Sequence, residues 1–424
     1  MTFPSPHNDG SPDRPASSSS IDPPANAGHP LESGSSQSLR RDRWAGWLQV
    51  AGAAGIAISI LAAAVLAGFA VLAFVEGGPS AALGPGIQAI AVGIVGALGI
   101  PLLYWATRGS TKPLGPVSSL TWLLSLGLFS AGLALGGLAF NRGLLPWLLG
   151  PAAHLMASAG PVLFTASLVL RSGPVISHRR RWGHFLAGLW VAPPLALVLE
   201  LFALVPTGVL VLLGLAATEG GRSALQDLAG ADLNTEADLL NLLSQVLSQP
   251  IVLVVAIAFL AGLVPLIEEA VKTLTVWPLI PRRPPASQAF LGGALGGCGY
   301  ALFESLLLAQ PGEAWVSTMV ARAGTPLIHA FATGLVSWGL IEAATYGRWL
   351  RLPALYLLAV GLHGSWNLFA AGISLAGLSV ESGGEILSPA AAGILSYSGL
   401  LVLLGLSTIS AAGLISIPRW LAGR

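Results

Sequence analysis

The sequence predicts an all-α, polytopic transmembrane bundle of about ten spans with both termini cytoplasmic, and three observations predict it. Of 424 residues, 54% are hydrophobic and only 9% are charged, which leaves little material for a soluble domain. The apolar residues fall into runs of about 20 or more, the length needed to cross a hydrocarbon core of roughly 30 Å. The lysines and arginines gather in alternate connecting segments, as the positive-inside rule requires.

Composition also excludes other classes. A net charge of +1 without a long basic cluster argues against nucleic acid as a partner. Cys298 is the single cysteine, so an internal disulfide framework and a multi-cysteine metal cluster are excluded. It sits in the run Gly292-Gly-Ala-Leu-Gly-Gly-Cys-Gly299, where a small side chain serves helix packing.

Residues 1–43 form a cytoplasmic tail. Up to position 39 it is mostly Pro, Ser, Gly, Asp and Asn, too polar to bury a core. Arg40, Arg41 and Arg43 precede the first apolar run, which lies too far from the N-terminus to be a cleaved signal peptide. Five apolar runs follow within 44–217, at about 47–75, 86–106, 117–139, 146–170 and 185–217. The last would be about 50 Å long as a straight helix and contains Pro193-Pro194, so it is expected to kink or tilt. Glu200 within it reads as a carboxyl kept protonated or hydrogen-bonded to a neighbouring helix.

The segment 218–249 is acidic and expected outside the membrane. Asn234 or Thr235 can cap one short amphipathic helix carrying Leu239, Leu240, Leu243, Val246 and Leu247. Four spans follow within 250–380, at about 250–280, 289–310, 324–346 and 352–378. Residues 381–424 supply the last span, near 391–416, and a cytoplasmic C-terminus. Arg108, Lys112, Arg171, Arg179, Arg180, Arg181, Arg282, Arg283, Arg348, Arg351 and Arg419 all fall on the side of the tail. The opposite side carries Arg142, Arg222 and Arg322 among many carboxylates.

The costliest stretch is in the sixth span, where Glu268, Glu269 and Lys272 interrupt an apolar run. A charge at mid-membrane costs on the order of 3 kcal/mol on insertion scales and usually marks function. Helical spacing lets both carboxylates meet Lys272, at i, i+4 and i, i+3. The next spans add Tyr300 and Glu304, Arg322 and His329, and His363, Trp366 and Asn367. Counting the helix rise from each cytoplasmic end puts Glu268, Glu304, His329 and His363 at about 18, 22, 25 and 16 Å. Similar depth on helices of opposite direction predicts one buried site. Glu342, near the end of its span, reads as a solvated residue.

These side chains suit amide hydrolysis. A carboxylate can take a proton from water and return it to the leaving amine, while imidazole and carboxamide donors can stabilise an oxyanion. Neither a serine nucleophile elbow nor His-Glu-x-x-His is present, which disfavours covalent and standard zinc-protease chemistry. Glu268, His329 and His363 remain an alternative ligand set for a catalytic zinc. A rival of another class is a non-catalytic binding or transport protein with a buried Glu/His relay.

The motifs Glu268-Glu269-x-x-Lys272, Tyr300-x-x-x-Glu304, His329 to Gly334 and His363-x-x-x-Asn367 resemble those of the PrsW intramembrane proteases, within the wider group that includes the CAAX prenyl endopeptidases. The resemblance covers roughly residues 250–380. It implies a peptidase of the bacterial plasma membrane acting on a membrane-anchored protein, with anti-sigma factors as the family's substrate class. It further implies Glu268 as the water-activating carboxylate and His363 with Asn367 as oxyanion donors. Glu304 and His329 would complete the water site, and Glu269 with Lys272 would orient the first motif. No cofactor is implied by this reading. Tyr300 stands where Phe is usual, and Ser305 where Asn often follows the glutamate.

Overall fold

Gly78 folds the first helix back on itself. In the computed structural model, which describes residues 33–108, 117–230, 236–308, 311–381 and 386–423, helix α1 runs Ser33–Arg108 with φ 74° and ψ −165° at Gly78. Only glycine adopts that backbone readily. The two arms then pair antiparallel, with Ile56 against Gly99, Ser59 against Gly96 and Ala63 against Gly93. Lys112, Asn234, Thr235 and most of the predicted tail lie outside the described residues. The chain divides into Met1–Arg43 and Trp44–Arg424.

After α1 come α2 (Leu120–Gly136) and α3 (Pro146–Ser172), then α4 (His178–Trp190) and α5 (Ala192–Ala216). The predicted kink of the fifth apolar run is a break at Val191, two residues before the first of its prolines. Two helices then occupy the acidic segment, α6 (Glu219–Gly230) and α7 (Glu236–Leu247), where the sequence predicts one. The addition starts at Thr218, whose Oγ1 accepts from the Gly221 backbone N–H at 3.1 Å. Such a cap offsets the poor helix propensity of Gly220 and Gly221.

The sixth span is not the single helix that its hydropathy suggests. It is built from α8 (Pro250–Ile257), a π-helical turn (Ala258–Leu263), α9 (Val264–Lys272) and two 3₁₀ turns (Thr273–Thr275 and Trp277–Arg282). Four longer pieces complete the bundle: α10 (Ala286–Leu307), a short α11 (Trp315–Ala321) leading into α12 (Thr325–Tyr346), α13 (Arg351–Glu381) and α14 (Pro389–Ala422). Nine helices among the described residues are long and apolar enough to cross a membrane. With the two arms of the first counted separately, they correspond to the ten apolar runs.

Every described element is helical, and the bundle is centred on α10 and α12. Their contact surface is made of small residues: a methyl group on Gly297 would collide with the carbonyl of His329. This close approach brings the functional side chains of α12 against α10. Cys298 is fully buried in the same cluster as Phe290, Leu291, Phe331 and Leu335, a packing residue as expected. Large apolar side chains such as Phe69, Leu123, Phe202 and Leu401 are exposed on the outer helices, the surface a bilayer covers. Glu342 departs from expectation. It is 4% exposed and clamped by Arg348 at 2.7 Å and Arg351 at 2.8 Å, because those arginines fold back over the helix end.

Candidate active site

The π-helical turn sets the geometry of α9. At its end the Val264 N–H bonds the Phe259 carbonyl, five residues back. Continuing that register would require an N–H from Pro265, which has none. The Leu260 carbonyl takes Nδ2 of Asn367 instead, at 3.0 Å. A turn of this kind recurs at functional sites because it redirects the residues that follow. Glu268, Glu269 and Lys272 come next and are all buried.

Lys272 is the hub. Its Nζ lies 2.8 Å from Glu269 Oε1, 2.8 Å from Glu268 Oε2 and 2.6 Å from His329 Nδ1. The ammonium also stands 4.2 Å above the centre of the Tyr300 ring, a cation–π contact. Glu269 is fully buried, and besides Lys272 it accepts from His363 Nδ1 at 2.9 Å and Thr333 Oγ1 at 3.2 Å. With Nδ1 spent on Glu269, His363 turns Nε2 toward Glu268 Oε2, 3.7 Å away. Glu268 differs from its neighbour. Its Oε2 is ion-paired with Lys272 at 2.8 Å, but neither the Thr333 hydroxyl nor a close imidazole N–H reaches it, so it is the less tied of the two carboxylates.

The chain of contacts continues outward. His329 accepts the Lys272 ammonium on Nδ1, which makes Nε2 the donor to Glu304 Oε2 at 2.8 Å. Glu304 Oε1 is then paired with Arg322 at 3.0 Å. Glu304 is the most open member, its side chain 34% exposed, so the cluster grades from sealed at Glu269 to accessible at Glu304.

The structure therefore brings together Glu268, Glu269, Lys272, Tyr300, Glu304, Arg322, His329 and His363. Two candidates stand apart. Trp366 packs with Ile328 and Leu403 in a separate apolar cluster, one helical turn from His363 but turned toward α14. Asn367 supports the π turn and retains one N–H beyond the bond to Leu260. Arg322 pairs with Glu304. Thr333 was not singled out by its residue type, yet it lies one turn after His329 on the same helix face, which is the spacing that reveals it.

Glu268, Glu269, His329 and His363 offer ligand atoms within 4.8 Å of one another. Two carboxylates and two imidazoles are donors that a divalent metal accepts. Three of the four, however, already face the Lys272 ammonium. An ammonium and a dication cannot share that position, so this arrangement does not fit a metal unless the lysine side chain withdraws.

A cluster of carboxylates and imidazoles, sealed within a helical membrane bundle and open at one edge, is that of a membrane-embedded hydrolase. The profile of the PrsW family intramembrane metalloprotease matches residues 179–383, and this part of the chain, which holds the whole cluster, is a PrsW-family peptidase domain. The match begins at Arg179, so the family's extent is larger than the 250–380 indicated by the motifs and takes in α5, α6 and α7. No curated protein and no solved structure matches the chain.

Proposed function

We propose that the protein is a glutamate-type endopeptidase that hydrolyses peptide bonds of membrane-anchored proteins without a metal ion. The single observation that carries this reading is the Lys272 ammonium at 2.8, 2.8 and 2.6 Å from Glu268, Glu269 and His329, where it supplies the positive charge the carboxylates need. Glu268, which has fewer partners than Glu269, takes the proton of the attacking water and delivers it to the leaving amine. Glu269 fixes Lys272 and His363. His363, once protonated at both nitrogens beside the two carboxylates, donates from Nε2 to the developing oxyanion, together with the remaining N–H of Asn367. Glu304 and Arg322 hold the His329 ring and border the open edge of the site.

The substrate class suggested by the resemblance is an anti-sigma factor or similar single-span protein cut in regulated proteolysis, and a bacterial plasma membrane is the location that goes with this reading. The family's metalloprotease description and the four donors favour a second reading, in which Glu268, His329 and His363 hold zinc. Such an ion, when bound, would polarise the scissile carbonyl and acidify water. Metal analysis and chelation of the purified protein separate the two. Activity on a transmembrane peptide should survive chelation; activity lost on chelation and restored by zinc would overturn the metal-independent mechanism.

A further inference from the structure

Glu200 is a fourth carboxylate at this site. On α5, Ala192 and Ala196 are buried against Val271 and Tyr300, and Glu200 is the next residue of that i, i+4 series. Its carboxylate thus projects from the same helix face toward the polar cluster, within electrostatic reach of Glu268, Lys272, Tyr300, Glu304 and His363. One carboxylate oxygen, Oε1, is shielded from solvent and has no hydrogen-bond partner.

The charges do not balance. Glu268 and Glu269 share Lys272, and Glu304 has Arg322, so four carboxylates face two permanent cations. Among the described residues Glu200 makes no ion pair. A negative charge withdrawn from water without a partner is strongly disfavoured, and a cation brought to it is correspondingly favoured. Glu200 is only half-buried, so its outer side is open to such a group.

We propose that Glu200 is a specificity residue which receives a lysine or arginine side chain flanking the scissile bond of the substrate, an inference that rests on the peptidase reading above. The substrate cation would pair with the carboxylate from its open side and bring the local charge closer to neutrality. A peptide with an uncharged residue at that position would leave Glu200 as it is, and one with glutamate there would meet repulsion.

The test uses the full-length protein in liposomes and transmembrane peptides that carry lysine, norleucine or glutamate at each position flanking the cut. Wild-type protein should prefer lysine over norleucine at one position by about tenfold or more in kcat/KM, the lower range for close charge pairs across an interface. Glu200→Gln should bring that ratio to about one, and Glu200→Lys should shift preference to the glutamate peptide. A wild-type enzyme indifferent to the three peptides, or a Glu200→Gln enzyme that keeps the lysine preference, overturns the proposal. The affinities of the same peptides for the Glu268→Gln protein give a readout that needs no turnover and keeps Glu200 intact. Equal binding of lysine and norleucine peptides there also defeats the inference. Undiminished hydrolysis by the Glu268→Gln protein defeats the glutamate mechanism and leaves the Glu200 ratio to be judged by itself.

Discussion

Lys272 Nζ lies 2.6 Å from Nδ1 of His329. That contact assigns both partners: a lysine ammonium has only donors, so the imidazole nitrogen facing it must carry a lone pair. His329 is thereby a neutral ring, with its proton on Nε2 toward Glu304. The lysine joins α9 to α12, and Glu269 joins α9 to α13 through His363. A mobile metal ion is not needed to hold these three helices together.

Replacing Lys272 with Met should therefore disturb folding as well as activity. The substitution keeps the apolar stem but leaves two buried carboxylates facing each other. Breaking a buried pair by removing one partner costs roughly 3–5 kcal/mol. Thermal unfolding in detergent should show a large fall in midpoint, and a variant of wild-type stability would show that the ammonium is not the organising charge.

Glu268 and Glu269 should separate in the opposite sense from their adjacency in sequence. The motif alone suggests that Glu269→Gln is the milder change. The structure gives Glu269 three partners and full burial, so its glutamine variant should lose both stability and turnover. Glu268→Gln keeps the size of the side chain and removes the proton acceptor; tied mainly by the Lys272 ion pair, it should melt closer to wild type than Glu269→Gln does while losing on the order of 100-fold or more in hydrolysis. Parallel measurements of melting and peptide cleavage decide between them.

Arg322 is expected to act through Glu304. Arg322→Gln frees a half-exposed carboxylate that otherwise holds His329, so kcat should fall by about tenfold, as for a partly screened charge-assisted contact, with a smaller change in KM. Arg322→Lys keeps the charge and should restore part of the loss. A uniform rise in KM with unchanged kcat would assign Arg322 to substrate attraction instead.

Much of this site was legible because charge inside an apolar run is rare. Glu268, Glu269, Lys272, Glu304, His329 and His363 stand out by type, and the equal depth of four of them anticipates one cluster. What the sequence does not show is helix irregularity. The π turn at Ala258–Leu263 has the composition of any apolar helix, and its effect depends on which carbonyl Pro265 leaves without a donor. Trp366 and Asn367 illustrate the same limit: residues three and four positions from His363 share its motif, but the rotation of α13 decides that one enters an apolar cluster and the other reaches across to α8's continuation. Glu342 appeared solvated since hydropathy does not report arginines folding back from the next segment.

The Asn367 contact allows the support of the π turn to be separated from catalysis. Asn367→Ala leaves the Leu260 carbonyl without a donor, which should cost about 1–3 kcal/mol if the group stays buried, along with a loss of turnover. Pro265→Ala restores a backbone N–H at the position that the π register calls on, and this donor can replace the Asn367 amide. The two substitutions should therefore be non-additive: the double variant should be more stable than the sum of the single effects predicts, by about 1 kcal/mol or more, as residues acting on one shared group are. Stability should recover further than kcat, since the alanine supplies a donor to Leu260 but none to an oxyanion. Strict additivity in both readouts would show that Asn367 does not hold the turn, and full recovery of kcat in the double variant would remove it from the oxyanion role.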